Sequence, residues 1–277
     1  GHYYGSDDDV MRFAFFSKAA LEFILQSGKR PDVIHTHDWQ SALVAVLLYE
    51  IYQFHGLEHQ RVVHTIHNFK HQGITGDDVL HLSGLGRPEY YRHPDRLLDD
   101  FNPTALNLSK GAVVYANFTT TVSPNHAWEA AHTDQGFGLG HALHVHRETF
   151  GGVLNGLDYD VWNPSTDPYI PANFDASDVD PKYAVKAALR QRLMLKDDFR
   201  PIVAYVGRLD PQKGVELIRH AIFHALHHGA QFVLLGSGSE ASINDHFWHL
   251  KHFLNDNPDC HLEIGFDEEL AHLIYAG

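Results

Sequence analysis

The stretch DVIHTHDWQSALVAVLLYEI, residues 32–51, decides the fold. Residues 32–36 form a short β-rich run typical of a strand, and the polar run His37-Asp38-Trp39 follows it. Apolar residues then recur at Leu43, Leu47 and Ile51, which is helical spacing. The stretch therefore predicts a strand, a loop and a helix in succession. That succession is the repeating unit of an α/β protein whose parallel sheet is covered by helices.

Three later apolar runs also stop at polar residues. Residues 62–66 precede His67, residues 118–122 precede Ser123, and residues 152–154 precede Asn155. Ligands of open α/β sheets lie outside the carboxyl ends of the strands, so we expect these polar residues to converge with Asp38 on one crevice. The alternative role at each position is to cap a loop or form a turn. For Asn155, which precedes a glycine, this alternative and a ligand role fit equally well.

Upstream of this unit, residues 8–26 predict an amphipathic helix. Apolar side chains stand at four-residue spacing at Met11, Phe15, Ala19 and Phe23.

Composition excludes several classes of protein. Of the 277 residues 44% are hydrophobic and 20% charged, which does not fit a disordered or fibrous chain. The net charge of −14 argues against a nucleic-acid partner. Cys260 is the single cysteine, so an internal disulfide is excluded and a reducing compartment fits best. The longest apolar run, residues 42–48, is far shorter than the roughly 20 residues of a membrane span, so no membrane is expected.

The 24 histidines raise the question of a metal. Ligand-like spacings occur at His35/His37, His144/His146, His224/His227/His228 and His249/His252. No HExxH frame accompanies them, so solvated or partly buried histidines are the favoured interpretation and no metal site is predicted. A non-catalytic, histidine-rich binder of metal or carbohydrate stays as an alternative.

A proline-rich segment marks a domain junction. Residues 163–181 hold four of the twelve prolines and little hydrophobic periodicity. We predict an N-terminal domain over 1–162, a linker and helix over 163–198, and a second domain over 199–277. The elements predicted after the junction are a helix at 182–195, strands at 202–206, 232–235 and 261–264, and a helix at 267–275. Three strands are too few for a doubly wound domain, so the second domain is expected to be incomplete.

Two loops of the second domain carry candidate chemistry. GRLDPQKG (207–214) places Arg208 and Lys213 beside a helix N-terminus, where an anion is already favoured, and so predicts a diphosphate clamp. A solvated surface pair is the alternative. GSGSEA (236–241) fits the GxGxxG/A fingerprint, with Asp256 or Asp259 about 20 residues on, so an NAD-type oxidoreductase resting on Gly236 and Gly238 is a second hypothesis.

Five motifs in order carry a family resemblance. They are HTHDWQ (35–40), TIHNFKHQG (65–73), TVSP (121–124), VLNGLDYDVWNP (153–164) and GRLDPQKG (207–214). Together they resemble the ADP-glucose-dependent glycogen and starch synthases, retaining glucosyltransferases of the GT-B fold. The stretch 132–164 is similar to the plant soluble starch synthases III and IV and to cyanobacterial forms.

The resemblance implies two Rossmann-like domains facing each other across a cleft, both incomplete in this chain. It implies transfer of glucose from ADP-glucose to the non-reducing end of an α-1,4-glucan, with no cofactor or metal, in the cytoplasm of a bacterium or the plastid of a plant or alga. The family also has a Lys-x-Gly-Gly-Leu loop expected before Gly1 and a Glu-containing motif expected after Gly277. A central fragment lacking both is expected to be inactive.

Site roles follow from the same resemblance. It implies catalytic roles for Asp38, His67, Arg208 and Lys213, the last two acting on the departing diphosphate. Donor-binding roles are implied for Asn155, Gly236, Gly238 and Phe266, the phenylalanine stacking on adenine, and acceptor-side roles for Trp39, Asn68 and Gln72.

Overall fold

The computed structural model describes residues 5–238 and 240–277. The chain divides into two compact units, Gly1–Gly156 and Leu157–Gly277. Each unit contains a parallel sheet with helices packed against it, so the predicted α/β architecture is confirmed.

Four parallel strands in the order β1-β2-β5-β6 form the sheet of the first unit. The strands of this unit are β1 Val33–His37, β2 Arg61–Ile66, β3 Ile74–Thr75, β4 Leu106–Asn107, β5 Phe118–Thr121 and β6 Phe150–Gly152, of which β3 and β4 form a separate antiparallel pair. Its helices are α1 Asp9–Gln26, α2 Asp38–Glu50, α3 Asp78–Ser83, α4 Pro88–Tyr91, α5 Leu108–Tyr115, α6 Pro124–His132 and α7 Gly140–Val145.

Helix α2 is the centre of the first unit's core. Its residues 42–48 are apolar on every side, and all seven are buried. A helix that is hydrophobic all round must be enclosed, and α2 packs against both α1 and α5 as well as the sheet. The apolar run that is too short for a membrane is therefore a core helix.

Helix α1 forms as predicted, but its apolar spacing does not mark its buried face. Ala14, Ser17 and Leu21 are buried, whereas Phe15 and Phe23 are 74% and 61% exposed. Residues four apart drift around a helix by about 40° per step, so a row of such residues leaves the core. Steps of three and four, as from residue 14 to 17 to 21, stay on one stripe.

Strand β6 lies earlier than the predicted 152–154. It spans Phe150–Gly152, and Val153 and Leu154 beyond it are exposed. A Cβ on Gly152 would lie 2.0 Å from the carbonyl oxygen of Ser123, so only glycine lets the strand pass this loop. The prediction from apolar content placed this strand two residues too late, because the steric requirement for glycine decides where β6 lies.

The second unit contains a three-stranded parallel sheet in the order β7-β8-β9. Its elements are α8 Lys182–Arg192, β7 Ile202–Val206, α9 Val215–His227, β8 Gln231–Gly236, α10 Ala241–Leu254, β9 Cys260–Ile264 and α11 Glu268–Ala276. All six residues of the central strand β8 are buried, because α9 and α10 pack in one apolar cluster and α8 and α11 in another. The three predicted strands and two predicted helices of this unit are confirmed, with ends shifted by up to three residues.

The packing places the boundary between the units at residues 156 and 157, a few residues before the expected junction at 162 and 163. The proline-rich segment belongs to the second unit by its contacts. Ile170 lies in the apolar cluster of α8 and α11, and the Asp167 carboxylate bonds the buried His272 imidazole at 2.7 Å. Residues expected as a linker thus form part of a folded core.

Candidate active site

Asp38 and His67 meet at the ends of two neighbouring strands. Strands β1 and β2 pair in parallel from Val33 and Arg61 to His37 and Thr65, so both end at the same edge of the sheet. The Asp38 Oδ1 atom accepts the backbone N–H of His67 at 2.7 Å and, less closely, that of Asn68 at 3.4 Å. Three residues with implied site roles are therefore joined through one carboxylate.

The backbone of Asp38 is strained. Its φ is +52°, in the left-handed region that L-residues other than Asn and Asp seldom enter. Asp38 begins α2, yet its carboxylate reaches across to the loop after β2 rather than capping its own helix. Ser41 bonds the backbone N–H of His37 at the start of that helix instead. Strain of this kind concentrates at functional sites, which favours a site role over a cap.

Three imidazole rings line the same edge. The ring centroids of His35 and His37 lie 4.3 Å apart, and those of His37 and His67 lie 5.3 Å apart. The His37 Nδ1 and His67 Nε2 atoms are 3.0 Å apart, a hydrogen bond. Burial lowers the pKa of His37, as do His35 and His67, while Asp38 acts in the opposite direction. His35 and His37, whose spacing resembles a metal-binding motif, instead form a contact between their rings beside Asp38.

The loop after His67 is held from inside by Gln72. This side chain is buried; its Nε2 donates to the carbonyls of Phe69 (2.7 Å) and Phe137 (2.9 Å), and its Oε1 accepts from Asn107 Nδ2 at 2.6 Å. Asn107 in turn bonds Asp99, at 2.9 Å. The structure thus places Gln72 in an internal network that fixes the 68–73 loop against the 134–138 loop.

Trp39 packs where the same loop turns. Gly73 has φ +65°, and a Cβ on it would lie 2.6 Å from the Trp39 indole. The indole also contacts the Phe13 ring in an edge-to-face arrangement, with 5.1 Å between the ring centroids. Trp39 is therefore half-buried between α1 and the loop. Within the loop itself, Asn68 Oδ1 accepts the backbone N–H of Lys70 at 3.0 Å.

The remaining two strand ends differ from each other. The Ser123 hydroxyl accepts the backbone N–H of His126 at 2.9 Å and so caps α6, which is the alternative role considered for it. Asn155 is exposed, and its side chain has no hydrogen-bond partner in the part of the chain that the structure describes. It follows β6 at the same sheet edge as Asp38.

In the second unit, Arg208 and Lys213 lie on the loop between β7 and α9. Both side chains are exposed, and neither forms a salt bridge with another described residue. The Arg208 carbonyl accepts the Tyr205 hydroxyl at 2.6 Å, and Asp210 accepts the backbone N–H of Gln212 at 3.0 Å, so the backbone of the loop is ordered while its cations stay uncompensated. An anion at the start of α9 would meet both the cations and the helix dipole.

The glycines of the 236–241 motif are required by close packing of two loops. A Cβ on Gly236 would lie 2.1 Å from the carbonyl oxygen of Gly207, and a Cβ on Gly238 would lie 2.9 Å from that of Leu209. The Asn244 side chain bonds both backbone groups of Gly238, at 2.8 and 2.7 Å. Ser239 of this motif lies outside the described residues.

Phe266 lies two residues after the end of β9 and is 89% exposed. An aromatic ring so exposed at the carboxyl end of a strand is available for stacking on a flat ligand. Sequence patterns do not single out Asn107 or His37 as holding these loops, because their partners lie 35 and 30 residues away. Asn244 lies just beyond the glycine motif that it bonds, and no pattern marks it.

Three of the other histidines bond along their own helices. The His132, His228 and His249 rings each donate from Nδ1 to the carbonyl four residues earlier, over 2.6–2.8 Å. Within residues 5–238 and 240–277, no three His, Cys, Asp or Glu side chains gather into an arrangement that could hold a metal ion. None of the helices in this part of the chain combines the length and apolarity needed to cross a bilayer.

Comparison with known proteins identifies the family. Residues 1–145 match the family model of the starch synthase catalytic domain. The chain is 64% identical over all 277 residues to "Glycogen synthase 2" of Methylococcus capsulatus, of which it covers 57%. It superposes on the catalytic domain of starch synthase IV from Arabidopsis thaliana bound to ADP and acarbose with a TM-score of 0.95 at 44% identity, covering all of this chain and 56% of that one.

A more distant likeness concerns the fold alone. The α,α-trehalose 6-phosphate synthase of Burkholderia multivorans matches with a TM-score of 0.53 at 12% identity, over 99% of this chain and 55% of that one. The chain thus spans about half the length of the relatives it matches. The oxidoreductase alternative receives no support, because loop packing accounts for the glycines on which it rested. The chain belongs to the starch synthase catalytic domain family, the glycogen and starch synthases, and has the predicted α/β fold of GT-B glycosyltransferases.

Proposed function

We propose that the full-length protein transfers glucose from ADP-glucose to the non-reducing end of an α-1,4-glucan, glycogen or starch, with retention at the anomeric carbon. The observation that carries this proposal is the likeness, over the whole chain, to a starch synthase bound to ADP and acarbose. ADP is the product expected of such a donor, and acarbose is an oligosaccharide analogue that stands in for the glucan.

The charges of the two units suit the two halves of this reaction. The bond from the anomeric carbon to the phosphate oxygen breaks, its electron pair leaves with ADP, and a bond forms to the acceptor 4-oxygen, whose proton is released. The departing diphosphate gains negative charge, which the uncompensated Arg208 and Lys213 would stabilise. The sugar becomes oxocarbenium-like, which favours lone pairs such as those of Asp38 and His67 nearby.

The other implied roles fit the exposed positions. Phe266, 89% exposed, would stack on adenine, and the uncommitted amide of Asn155 would bond the donor. Because two protein cations can supply the charge that a metal ion supplies elsewhere, we propose that the reaction needs no metal or cofactor. The first unit would carry the acceptor side and the second the nucleotide side, in the cytoplasm of a bacterium or the plastid of a plant or alga.

Transfer of radiolabelled glucose from ADP-glucose to glycogen tests the proposal. The assay compares the 277-residue chain with a version lengthened at both ends to match its relatives. We expect negligible elongation from the shorter chain, because it spans only 57% of a related synthase, and robust elongation from the longer one. A longer version that fails with ADP-glucose, or that binds NADH instead, would overturn the assignment.

A further inference from the structure

The imidazole of His67 is held by a second histidine. His37 Nδ1 lies 3.0 Å from His67 Nε2, and the two rings are within 29° of parallel. The His67 Nδ1 atom has no hydrogen-bond partner among residues 5–238 and 240–277. One nitrogen of His67 is therefore committed to a bond within the protein, and the other is left available for a ligand.

We infer that His37 is a positioning residue for His67, fixing the orientation of its imidazole and coupling its tautomer to that of His37, so that Nδ1 is the atom presented to the transferred glucose. This inference rests on the proposed function, in which His67 lies beside the reacting sugar. Two neutral imidazoles bond only if one nitrogen carries the hydrogen and the other does not. The contact therefore couples the tautomer of His67 to that of His37.

The surroundings favour a neutral His37. The groups facing it are His35 in β1, His64 in β2, His67 after β2 and Asp38 at the start of α2. Burial and the neighbouring imidazoles lower the pKa of His37, against the opposing effect of Asp38. His37 therefore stays uncharged at neutral pH and can share a single hydrogen with His67.

A second set of hydrogen bonds restrains the three neighbouring imidazoles of His35, His37 and His67. His35 Nε2 bonds Thr65 Oγ1 at 2.7 Å, and Thr65 Oγ1 bonds Thr120 Oγ1 at 2.7 Å. These bonds run from β1 through β2 to β5, three of the four parallel strands that end at this edge. The His35 ring contacts that of His37 and so restricts it, while His37 is the one described residue whose side chain bonds the His67 ring.

The role of the bond can be separated from folding. Although its neighbours partly desolvate His37, both His37 and His67 remain exposed to solvent, so loss of the bond between them leaves no buried group unsatisfied. A misplacement of about 1 Å in a reacting group can nevertheless cost on the order of a hundredfold in rate. A positioning role therefore predicts a loss of turnover with little loss of stability.

Two substitutions distinguish the nitrogen that matters. The amide of Asn lies close to the position of a histidine Nδ1, whereas that of Gln lies close to the position of Nε2. In the full-length protein we expect His37→Gln to lower kcat by roughly ten- to a hundredfold with KM for ADP-glucose nearly unchanged, and His37→Asn to restore most of kcat. His59→Gln, at a histidine whose side chain is 87% exposed, is the matched control and should change nothing.

Two further readouts keep the outcome decisive. In a His67→Ala background, His37→Gln should have no additional effect, since the two act as a unit. Nitrogen NMR of the imidazoles should show that the ratio of the two His67 tautomers differs between the native protein and His37→Gln. Equal losses from Asn and Gln, additive losses with His67→Ala, or an unchanged tautomer ratio would overturn the inference. Inactivity of the native full-length protein would instead refute the proposed function, and the NMR result would still decide the positioning role.

Discussion

The carboxylate of Asp38 accepts the backbone N–H of His67 at 2.7 Å, which joins the ends of β1 and β2 through one side chain. The two residues are 29 apart in the chain, and the parallel register of the strands is what brings them together. Because the bond is to the backbone, it fixes the path of the loop while leaving the imidazole of His67 free to be oriented by His37. Asp38 therefore has two separable properties, an acceptor oxygen and a negative charge.

Asp38→Asn should separate these properties. Asn keeps an acceptor oxygen and tolerates the φ of +52°, so we expect the free energy of unfolding to change by less than about 0.5 kcal/mol while kcat falls roughly a hundredfold. Asp38→Ala loses the acceptor and adds backbone strain, and should cost about 2–4 kcal/mol. Thermal unfolding and turnover are measured on the same samples. If Asn destabilises as much as Ala, the charge itself holds the fold.

Much of the fold could be predicted because most strands of the two sheets are short runs rich in apolar or β-branched residues and bounded by polar residues. The exceptions have steric causes. Residues 150–152 pair as β6 because glycine alone fits under the loop at Ser123, and that requirement has no signature in hydropathy. The buried face of α1 depends on which side meets α2, which the apolar spacing at Phe15 and Phe23 does not reveal.

The site was predictable where residues directly follow a strand and not where they depend on distant partners. Asp38 and His67 each follow a strand end, so topology places them together. The partner of Gln72 is Asn107, which lies 35 residues away in strand β4, and no local pattern specifies this contact. The sequence thus marks Gln72 as a site residue, while the structure shows the bonds that make it an internal brace.

Gln72→Ala tests that bracing role. Removal of the buried amide leaves the carbonyls of Phe69 and Phe137 and the amide of Asn107 short of partners, so we expect a loss of about 2–4 kcal/mol in the free energy of unfolding of the first unit. Gln135→Ala, an exposed glutamine in the adjoining loop, is the control and should stay within about 0.5 kcal/mol. Urea denaturation measures both. If Gln72→Ala lowered the free energy of unfolding as little as Gln135→Ala does, a direct acceptor-side role for Gln72 would be favoured instead.

Gly236→Ala tests whether the glycine motif serves loop packing. The new Cβ would meet the carbonyl oxygen of Gly207 at 2.1 Å, a backbone atom that cannot move aside alone, so we expect about 1–3 kcal/mol of destabilisation. Gly265→Ala is the matched control, because nothing lies within 4 Å of its Cβ position although its backbone bonds Gly236. Thermal unfolding of the ligand-free protein compares them. Equal melting temperatures would mean that the glycine makes room for a ligand only.

Lys213→Ala and Arg208→Lys test the proposed clamp in the full-length enzyme. Loss of one charged group on the departing diphosphate should lower kcat by about 10² to 10³, or roughly 3–4 kcal/mol. Arg208→Lys keeps the positive charge but loses the planar guanidinium that can bind a phosphate through two N–H groups, so a smaller loss of turnover is expected. Both side chains are exposed, and stability should not change. Arg219→Ala, on α9 but outside the loop, is the control. Near-normal turnover of both variants would make the cations a solvated surface pair.

The pH dependence of stability should carry a contribution from His64. This residue is wholly buried in β2, bonds Thr36 Oγ1 at 2.8 Å through Nδ1, and has a pKa that burial, with help from His35, His37 and His67, lowers to about 3. In the unfolded chain a histidine protonates below about pH 6.5. Between pH 6.5 and 3 the unfolded state therefore binds the extra proton, and folding stability falls as the pH falls.

His64→Leu should flatten that dependence. The variant loses the Thr36 bond and is expected to be less stable than the native chain at pH 8, where His64 is neutral in both states and contributes no slope. On lowering the pH from 6.5 to 4.5, the native chain should lose up to about 1.4 kcal/mol per unit more than the variant, so the two stabilities converge. Urea denaturation at pH 8, 6.5, 5.5 and 4.5 measures this, with the exposed His59→Leu as control. Parallel curves for the native chain and His64→Leu would show that the buried imidazole takes up its proton without unfolding.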